Sequence, residues 1–206
     1  EPISATFEVL SNQLHLNKPS RSGENLAAEN IQSRLRGVTL MAISNSENRL
    51  LLSPGNKSEL AVGYCTLYGD TNGGLSVLGD VLKTEVYQIA RHINETAKRE
   101  IIPFEIIEKA PSAELAPNQF DRDSLPPYDL MDVILKRYFE DKFSPAEIIA
   151  EGSDEKLVYD LLNKVESPAN EFKRRQLPPT LIISKNAIGI GRRRPVTHKY
   201  RRNPKN

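Results

Sequence analysis

Apolar residues recur at helical spacing through most of the chain. Ile3, Phe7, Leu10 and Leu14 predict an amphipathic helix over Ile3 to Leu16, which the stretch Lys18 to Gly23 breaks. A longer helix is predicted from Leu26, Ile31, Leu35, Val38, Leu40 and Ile43, with Asn30, Arg34 and Arg36 making part of one face polar and basic. A turn is expected over Asn45 to Asn48. The run Arg49-Leu50-Leu51-Leu52-Ser53 has strand length and ends at Pro54-Gly55, after which Leu60-Ala61-Val62-Gly63 is helical again. A strand–loop–helix unit is the building block of α/β folds, in which ligands gather at the carboxyl ends of the strands.

Tyr68 to Gly74 is too glycine-rich for regular structure, and Leu75 to Val81 reads as a short extended or irregular bridge. Helices are predicted over Lys83 to Ala97, Phe104 to Ile107, Tyr128 to Phe139 and Asp154 to Val165. Ser144, Pro145 and Glu147 form a helix start: an N-cap, a proline at the first position and an acid in the first turn. Ser112 to Pro127 is a long polar loop, of the kind that is usually functional or mobile. Leu177-Pro178-Pro179 ends helicity. No internal repeat occurs. The expected class is α/β with a parallel sheet, but mostly helical, with too few strands for a complete sheet, so that its N-terminal side is expected to be missing.

The composition removes several function classes. Of the 206 residues 38% are hydrophobic, and no run approaches the ~20 apolar residues of a spanning helix. Cys65 is alone, which excludes an internal disulfide framework and a cysteine-only zinc site. His15, His92 and His198 show no metal-ligand spacing. The opening Glu1-Pro2 carries no basic and apolar targeting pattern, so a cytoplasmic protein, or a piece of one, is expected. The formal net charge of +1 hides an asymmetry: Glu171 to Asn206 holds eleven Lys/Arg and one acid, and the remainder 17 Lys/Arg against 26 acids. Such a tail is a solvated or oligomer-contacting end, a phosphate-binding end, or a nucleic-acid attachment. Only Phe172 and Tyr200 offer aromatic rings for base stacking, so nucleic acid is not the expected partner. The alternative kept open is a non-catalytic α/β module whose basic tail binds RNA or an acidic partner.

The densest chemistry lies in Gly55-Asn56-Lys57-Ser58-Glu59 and Thr66-Leu67-Tyr68-Gly69-Asp70. N–H groups at a glycine turn before a helix suit anions, Lys57 adds positive charge, and Glu59 and Asp70 could hold Mg²⁺ or ribose hydroxyls. The same residues equally describe an ordinary capped helix with Glu59 in its first turn. Arg34 and Arg36 are either solvated ion pairs or ligand clamps, and Cys65 is a small core residue rather than a nucleophile.

Taken together, the strings Glu29 to Arg36, Gly55 to Tyr64, Tyr68-Gly69-Asp70, Lys83-Thr84, Pro111 to Leu115 and Phe172-Lys173-Arg174 resemble, in that order, the glutamine-dependent NAD⁺ synthetases. The resemblance runs over nearly the whole chain and implies the C-terminal part of a synthetase domain with an adenine-nucleotide alpha-hydrolase-like, Rossmann-like fold. It assigns residues 1–176 to that partial domain and residues 177–206 to a basic C-terminal extension. The implied activity is that of an ATP-dependent carbon–nitrogen ligase. Deamido-NAD is adenylated by ATP with Mg²⁺, and ammonia then displaces AMP. The implied partners are an upstream glutaminase domain that releases the ammonia and further copies in a homo-oligomer. The resemblance carries deamido-NAD contacts onto Asn30, Arg34, Glu59, Thr66, Leu67, Asp70 and Lys173, ATP contacts onto Pro54, Lys83 and Ser112, and the metal onto Glu59. No residue is implied as a general base. Pro54 stands where the family usually has Thr, leaving only its carbonyl or ring for ATP, and Leu67 stands where smaller ammonia-dependent relatives have Lys.

The family's pyrophosphate loop, Ser-Gly-Gly-x-Asp-Ser, occurs nowhere in these 206 residues, which implies a piece of a longer polypeptide. Without the N–H cradle of that loop the ATP phosphates lack their main anchor. The purified chain is therefore expected to give no NAD⁺ from deamido-NAD, ATP, Mg²⁺ and ammonia. Formation of AMP and NAD⁺ by it would overturn the expectation.

Overall fold

The α/β pattern is realised as helices around a very small parallel sheet in the computed structural model, which describes residues 2–15, 26–188 and 193–203. Helix α1 spans Pro2–Gln13 and α2 spans Leu26–Glu47, and the two pack together. The break at Lys18 to Gly23 lies outside the described residues. The turn expected over Asn45 to Asn48 is displaced, because α2 continues through Glu47. It stops at Asn48 (φ 51°), where the Arg49 N–H donates to the Ser44 carbonyl at 2.9 Å. Asparagine tolerates that left-handed conformation better than most residues.

Of the predicted strand only Leu52–Ser53 (β1) pairs, in parallel with Leu75–Ser76 (β2), Leu52 opposite Leu75 and Ser53 opposite Ser76. The crossover between them contains α3, Lys57–Val62. Thr180 adds a parallel bridge on the other side of Ser76, so the segment after Pro178-Pro179 extends the sheet. Helices α4 (Lys83–Ala97), α5 (Phe104–Glu108), α6 (Tyr128–Phe139), α7 (Pro145–Ala150), α8 (Glu155–Val165) and α9 (Pro168–Arg174) follow, with a 3₁₀ turn at Asp121–Asp123 inside the long loop. The Ser144 cap forms as a reciprocal capping box with Glu147. Among the described residues no helix is long and apolar enough to cross a membrane.

The apolar core joins α3, α6, α7 and α8 through Ala61, Met131, Leu135, Ile148, Val158 and Leu162, all at or near zero exposure. Asp132 of α6 accepts from Ser58 Oγ at 2.5 Å, from the Thr84 N–H at 2.8 Å and from Thr84 Oγ1 at 2.9 Å, which locks α3, α4 and α6 together.

Lys57 is wholly buried. Its ammonium reaches Asp80 Oδ1 at 3.0 Å, Glu140 Oε1 at 3.0 Å and Ser184 Oγ at 2.9 Å, so all three donors are engaged. This corrects the expectation that Lys57 adds charge to an anion site. Asp80 also accepts from the Ile183 and Ser184 N–H groups at 2.9 and 2.7 Å, which fastens the C-terminal segment to the body. Further along, Glu166 receives Arg194, Tyr138 and Arg202, the last at 2.8 Å through Nε. The described part of the basic tail is thus docked on the acidic body.

Burial alone would raise the Asp80 carboxyl, but the Ser184 and Ile183 N–H groups and the Lys57 ammonium outweigh it and hold it below the usual carboxylate range. A lowered folded-state value means that the stabilisation is complete above the unfolded-state value of about 3.9 and is lost as pH falls through the folded-state value. Asp80→Asn leaves Lys57 buried with Glu140 as its remaining carboxylate. The variant is expected to lose about 3 kcal/mol, the lower end for a broken buried pair, read as a lower urea midpoint at neutral pH, with the difference from the parent shrinking in acid.

Candidate functional site

The carboxyl end of β1 opens into a cleft of about 590 Å³ between α2, α3, the Tyr64 to Asn72 loop and the loop from Pro111 to Ser124. Eight of the ten residues to which the resemblance assigns substrate contacts line it: Asn30, Pro54, Glu59, Thr66, Asp70, Lys83, Ser112 and Lys173. They come from widely separated stretches of the chain. Arg34 and Leu67 do not line it, and are joined to each other instead, Arg34 Nε donating to the Leu67 carbonyl at 3.1 Å.

The Gly55 to Glu59 run is mostly architecture. Asn56 caps α3 in a reciprocal capping box with Glu59, Lys57 and Ser58 point into the core, and only Glu59 of the run reaches the cleft. Glu59 Oε1 accepts from Lys83 Nζ at 3.0 Å, and Oε2 accepts from the Asn56 N–H at 3.3 Å. Burial disfavours the Lys83 cation, yet Glu59 outweighs it and raises the lysine above its usual range. Both side chains keep 18% exposure, enough for a ligand to meet them.

Asp70 organises its own loop. Its Oδ1 accepts from the Thr66 N–H at 2.7 Å and from Ser33 Oγ at 3.3 Å, while Ser53 Oγ donates to its carbonyl at 2.9 Å, tying α2, the loop and β1 together. Burial pushes the Asp70 carboxyl up, and these hydrogen bonds only partly offset it. Gly69 permits this approach, since a Cβ there would stand 2.1 Å from Ser33 Oγ. Thr66 Oγ1 donates to Asn30 Oδ1 at 2.9 Å, so two of the expected deamido-NAD contacts also hold each other. Cys65 lies on the cleft wall rather than in the core. Burial, followed by Asp70, pushes its thiol up to about 12, so it stays protonated and is a poor nucleophile.

Helix α9 closes the C-terminal end of α3. Arg174 donates to the Ala61 carbonyl at 2.7 Å and Asn170 to that of Val62 at 2.8 Å. Lys173 donates to the carbonyls of Gly63 at 2.8 Å and Cys65 at 2.9 Å. Gly63 itself has φ 71°, and a Cβ there would lie 2.0 Å from Asn170 Oδ1. Two of the three Lys173 donors are therefore engaged, and the third is available on the cleft side. Ser112 Oγ donates to the Gln119 carbonyl at 2.5 Å and accepts from the Glu114 N–H at 3.0 Å, so the hydroxyl shapes its own loop.

Of the other lining residues, Arg36 is the second basic candidate of α2, whereas Glu29, Tyr64, Gln119 and Asp121 are not singled out by the sequence. Arg36 donates to the Glu114 carbonyl at 2.9 Å and Gln119 to Glu29 at 3.3 Å, joining the loop to α2 across the cleft. Tyr64 and Asp121 are bonded to each other at 3.2 Å. The only signal for these was membership of the long polar loop or of the strings already quoted. Five carboxylates (Glu29, Glu59, Asp70, Asp121, Asp123) face three cations (Arg36, Lys83, Lys173) along the wall. Among the described residues no group of three or more His, Cys, Asp or Glu side chains could by itself hold a metal ion.

The model of the NAD synthase family matches residues 1–178. The chain is 48% identical over 199 residues, 97% of its length, to a glutamine-dependent NAD(+) synthetase of Synechocystis sp.. It is also 48% identical over 173 residues, 84% of its length, to one of Acinetobacter baylyi. It spans 34% and 32% of those two proteins, about a third of each. The crystal structure of a glutamine-dependent NAD(+) synthetase from Cytophaga hutchinsonii aligns over 96% of this chain and 33% of that one, with TM-score 0.73 and 21% identity, which shows a shared fold. With a parallel β–α–β unit, a cleft at the carboxyl end of β1, and likeness along nearly its full length, the chain has the Rossmann-like adenine-nucleotide alpha-hydrolase fold and belongs to the NAD synthase family.

Proposed function

We propose that the protein containing this chain makes NAD⁺ from deamido-NAD. In this reading the deamido-NAD carboxylate attacks the α-phosphorus of ATP and expels pyrophosphate. Ammonia from glutamine, released by an upstream glutaminase domain, then attacks the acyl carbon and expels AMP. The observation that carries the reading is the convergence of Asn30, Glu59, Thr66, Asp70, Lys83 and Lys173 on one cleft at a strand's carboxyl end, in a chain so similar to glutamine-dependent NAD(+) synthetases. ATP is assigned to the side of Pro54, Lys83 and Ser112, and deamido-NAD to the side of Asn30, Thr66, Asp70 and Lys173. Arg34 and Leu67 act on the dinucleotide only through the loop that they brace.

The chemistry asks for fixed donors where negative charge develops. Lys83 and Lys173 supply cationic N–H groups already oriented by Glu59 and by the Gly63 and Cys65 carbonyls. Thr66 and Asn30 hold the dinucleotide in place, and positioning needs no general base. Mg²⁺ fits this wall as a companion of the ATP phosphates, because it keeps several waters and needs only one or two carboxylates. The acidic majority along the cleft supports that fit, with Glu59 as the protein ligand. When bound, the ion neutralises phosphate charge. A homo-oligomer is supported by the exposed apolar Val38 and Ile43 of α2, and a cytoplasmic location goes with ATP and glutamine as substrates.

Two substitutions in the intact protein test this. Glu59→Gln is expected to lower NAD⁺ synthesis about 10- to 150-fold, the effect of one charge-assisted contact. Glu114→Gln, at an exposed residue paired with Lys109 outside the cleft, should be nearly silent. Equal losses would remove the special role of Glu59. Lys173→Ala should raise KM for deamido-NAD about tenfold with KM for ATP much less affected, and Arg201→Ala should change neither. Identical behaviour of the two would leave Lys173 as one tail cation among others.

A further inference from the structure

Asp121 sits in the 3₁₀ turn of the long loop and is 4% exposed. Its Oδ1 accepts from the Tyr64 hydroxyl at 3.2 Å, and its Oδ2 accepts from the Tyr128 hydroxyl at 2.8 Å. Its own N–H donates to the Pro111 carbonyl at 2.9 Å, which closes residues 111–121 into a loop at the base, one residue before Ser112. Tyr64 directly follows the cap of α3, on the Glu59 side, and Tyr128 opens α6, with the Lys83 ammonium 5.4 Å from its ring centroid. Inside the loop, Ser112 Oγ bonds to the Gln119 carbonyl, and the Leu115 N–H bonds to Gln119 Oε1 at 3.1 Å. The loop is therefore internally braced, and a single buried carboxylate fastens its base to the residue just past the cap of α3 and to the first residue of α6.

We infer that Asp121 is a positioning residue that sets where Ser112 and its loop stand relative to Lys83 and Glu59. The two phenols are well suited to this work. Burial, followed by Asp121, raises the Tyr64 hydroxyl; burial, followed by Glu59 and Asp121, raises that of Tyr128. Both stay protonated and keep donating at any physiological pH. A carboxylate held by two neutral donors and a main-chain bond has little freedom to rotate, and losing either phenol leaves a buried oxygen unpaired. Asp121 acts through the loop and touches no reacting atom. The inference rests on the cleft being the site for ATP and deamido-NAD.

The test compares Asp121→Ala, Asp121→Asn and the double variant Tyr64→Phe/Tyr128→Phe in the intact protein, with KM for each substrate, kcat and Tm measured. The alanine and the double variant should each raise KM for ATP about tenfold or more, with a much smaller change for deamido-NAD. Asparagine keeps an acceptor for one phenol and offers an N–H to the other oxygen, so it should recover most of the loss. The double variant keeps both rings but leaves both oxygens of the buried carboxylate unpaired, so its Tm should fall as well, and the split between the two KM values carries the test. An asparagine variant as poor as alanine would mean that the charge itself is needed and would overturn the positioning role. Equal rises in both KM values, or a fall in Tm with unchanged kinetics, would overturn it as well. If the parent protein forms no NAD⁺ from ATP and deamido-NAD, the functional reading falls and takes this inference with it. Failure of the variants alone leaves that reading standing.

Discussion

A lysine ammonium with no solvent contact sets the arrangement around it. Lys57 lies in the first turn of α3, where the helix dipole is already unfavourable to a cation, and burial removes its hydration. Only nearby carboxylates can make that position tolerable, and they come from far along the chain: Asp80 before α4 and Glu140 at the end of α6, with Ser184 beyond the last helix. Satisfying one cation thus brings four distant segments together. The direction of α3 follows from it, and with that direction the placement of Glu59 two residues on.

Helix α3 has six residues, too few to be stable alone. It persists because both ends are held. The Asn56–Glu59 box holds the start, and Arg174, Asn170 and Lys173 take the carbonyls at the other end. Cations at a helix C-terminus also meet its dipole favourably. Two of these side chains, Glu59 and Lys173, also face the cleft. Glu59 caps and pairs, Lys173 closes a helix, and Asp70 and Thr66 knot a loop. A site built this way is preorganised, because the contacts that define the fold already orient its donors and acceptors.

The charge asymmetry of the chain has a physical outlet in the fold. Burial works against an ionised Glu166, but Arg202, Tyr138 and Arg194 outweigh it and hold its carboxyl below the usual range. Asn163 exchanges two hydrogen bonds with the Arg202 main chain, at 2.7 and 3.0 Å. Basic residues of the tail therefore serve as internal partners for the acidic body. Nothing in these contacts favours RNA attachment.

Helix positions were legible in the sequence because they follow local rules. The periodicity over Lys83 to Ala97 and Tyr128 to Phe139 matched the observed bounds, and the Ser144-Pro145-Glu147 cap formed as the chemistry of those three residues requires. The order of the motif strings was enough to point to the family, and through it to ten residues, eight of which line one cleft. Tertiary structure alone decided what each of them does for the fold. Lys57 and Glu59 stand two residues apart in one motif, yet one is sealed in the core and the other faces the cleft. Asp121, Tyr64 and Tyr128 are 57 and 7 residues apart along the chain, and no local pattern links them. Local sequence determines periodicity and capping, since both act within a few residues. Which charges are buried together depends on distant segments meeting, because the cost of desolvating each group is repaid only by partners that the fold delivers.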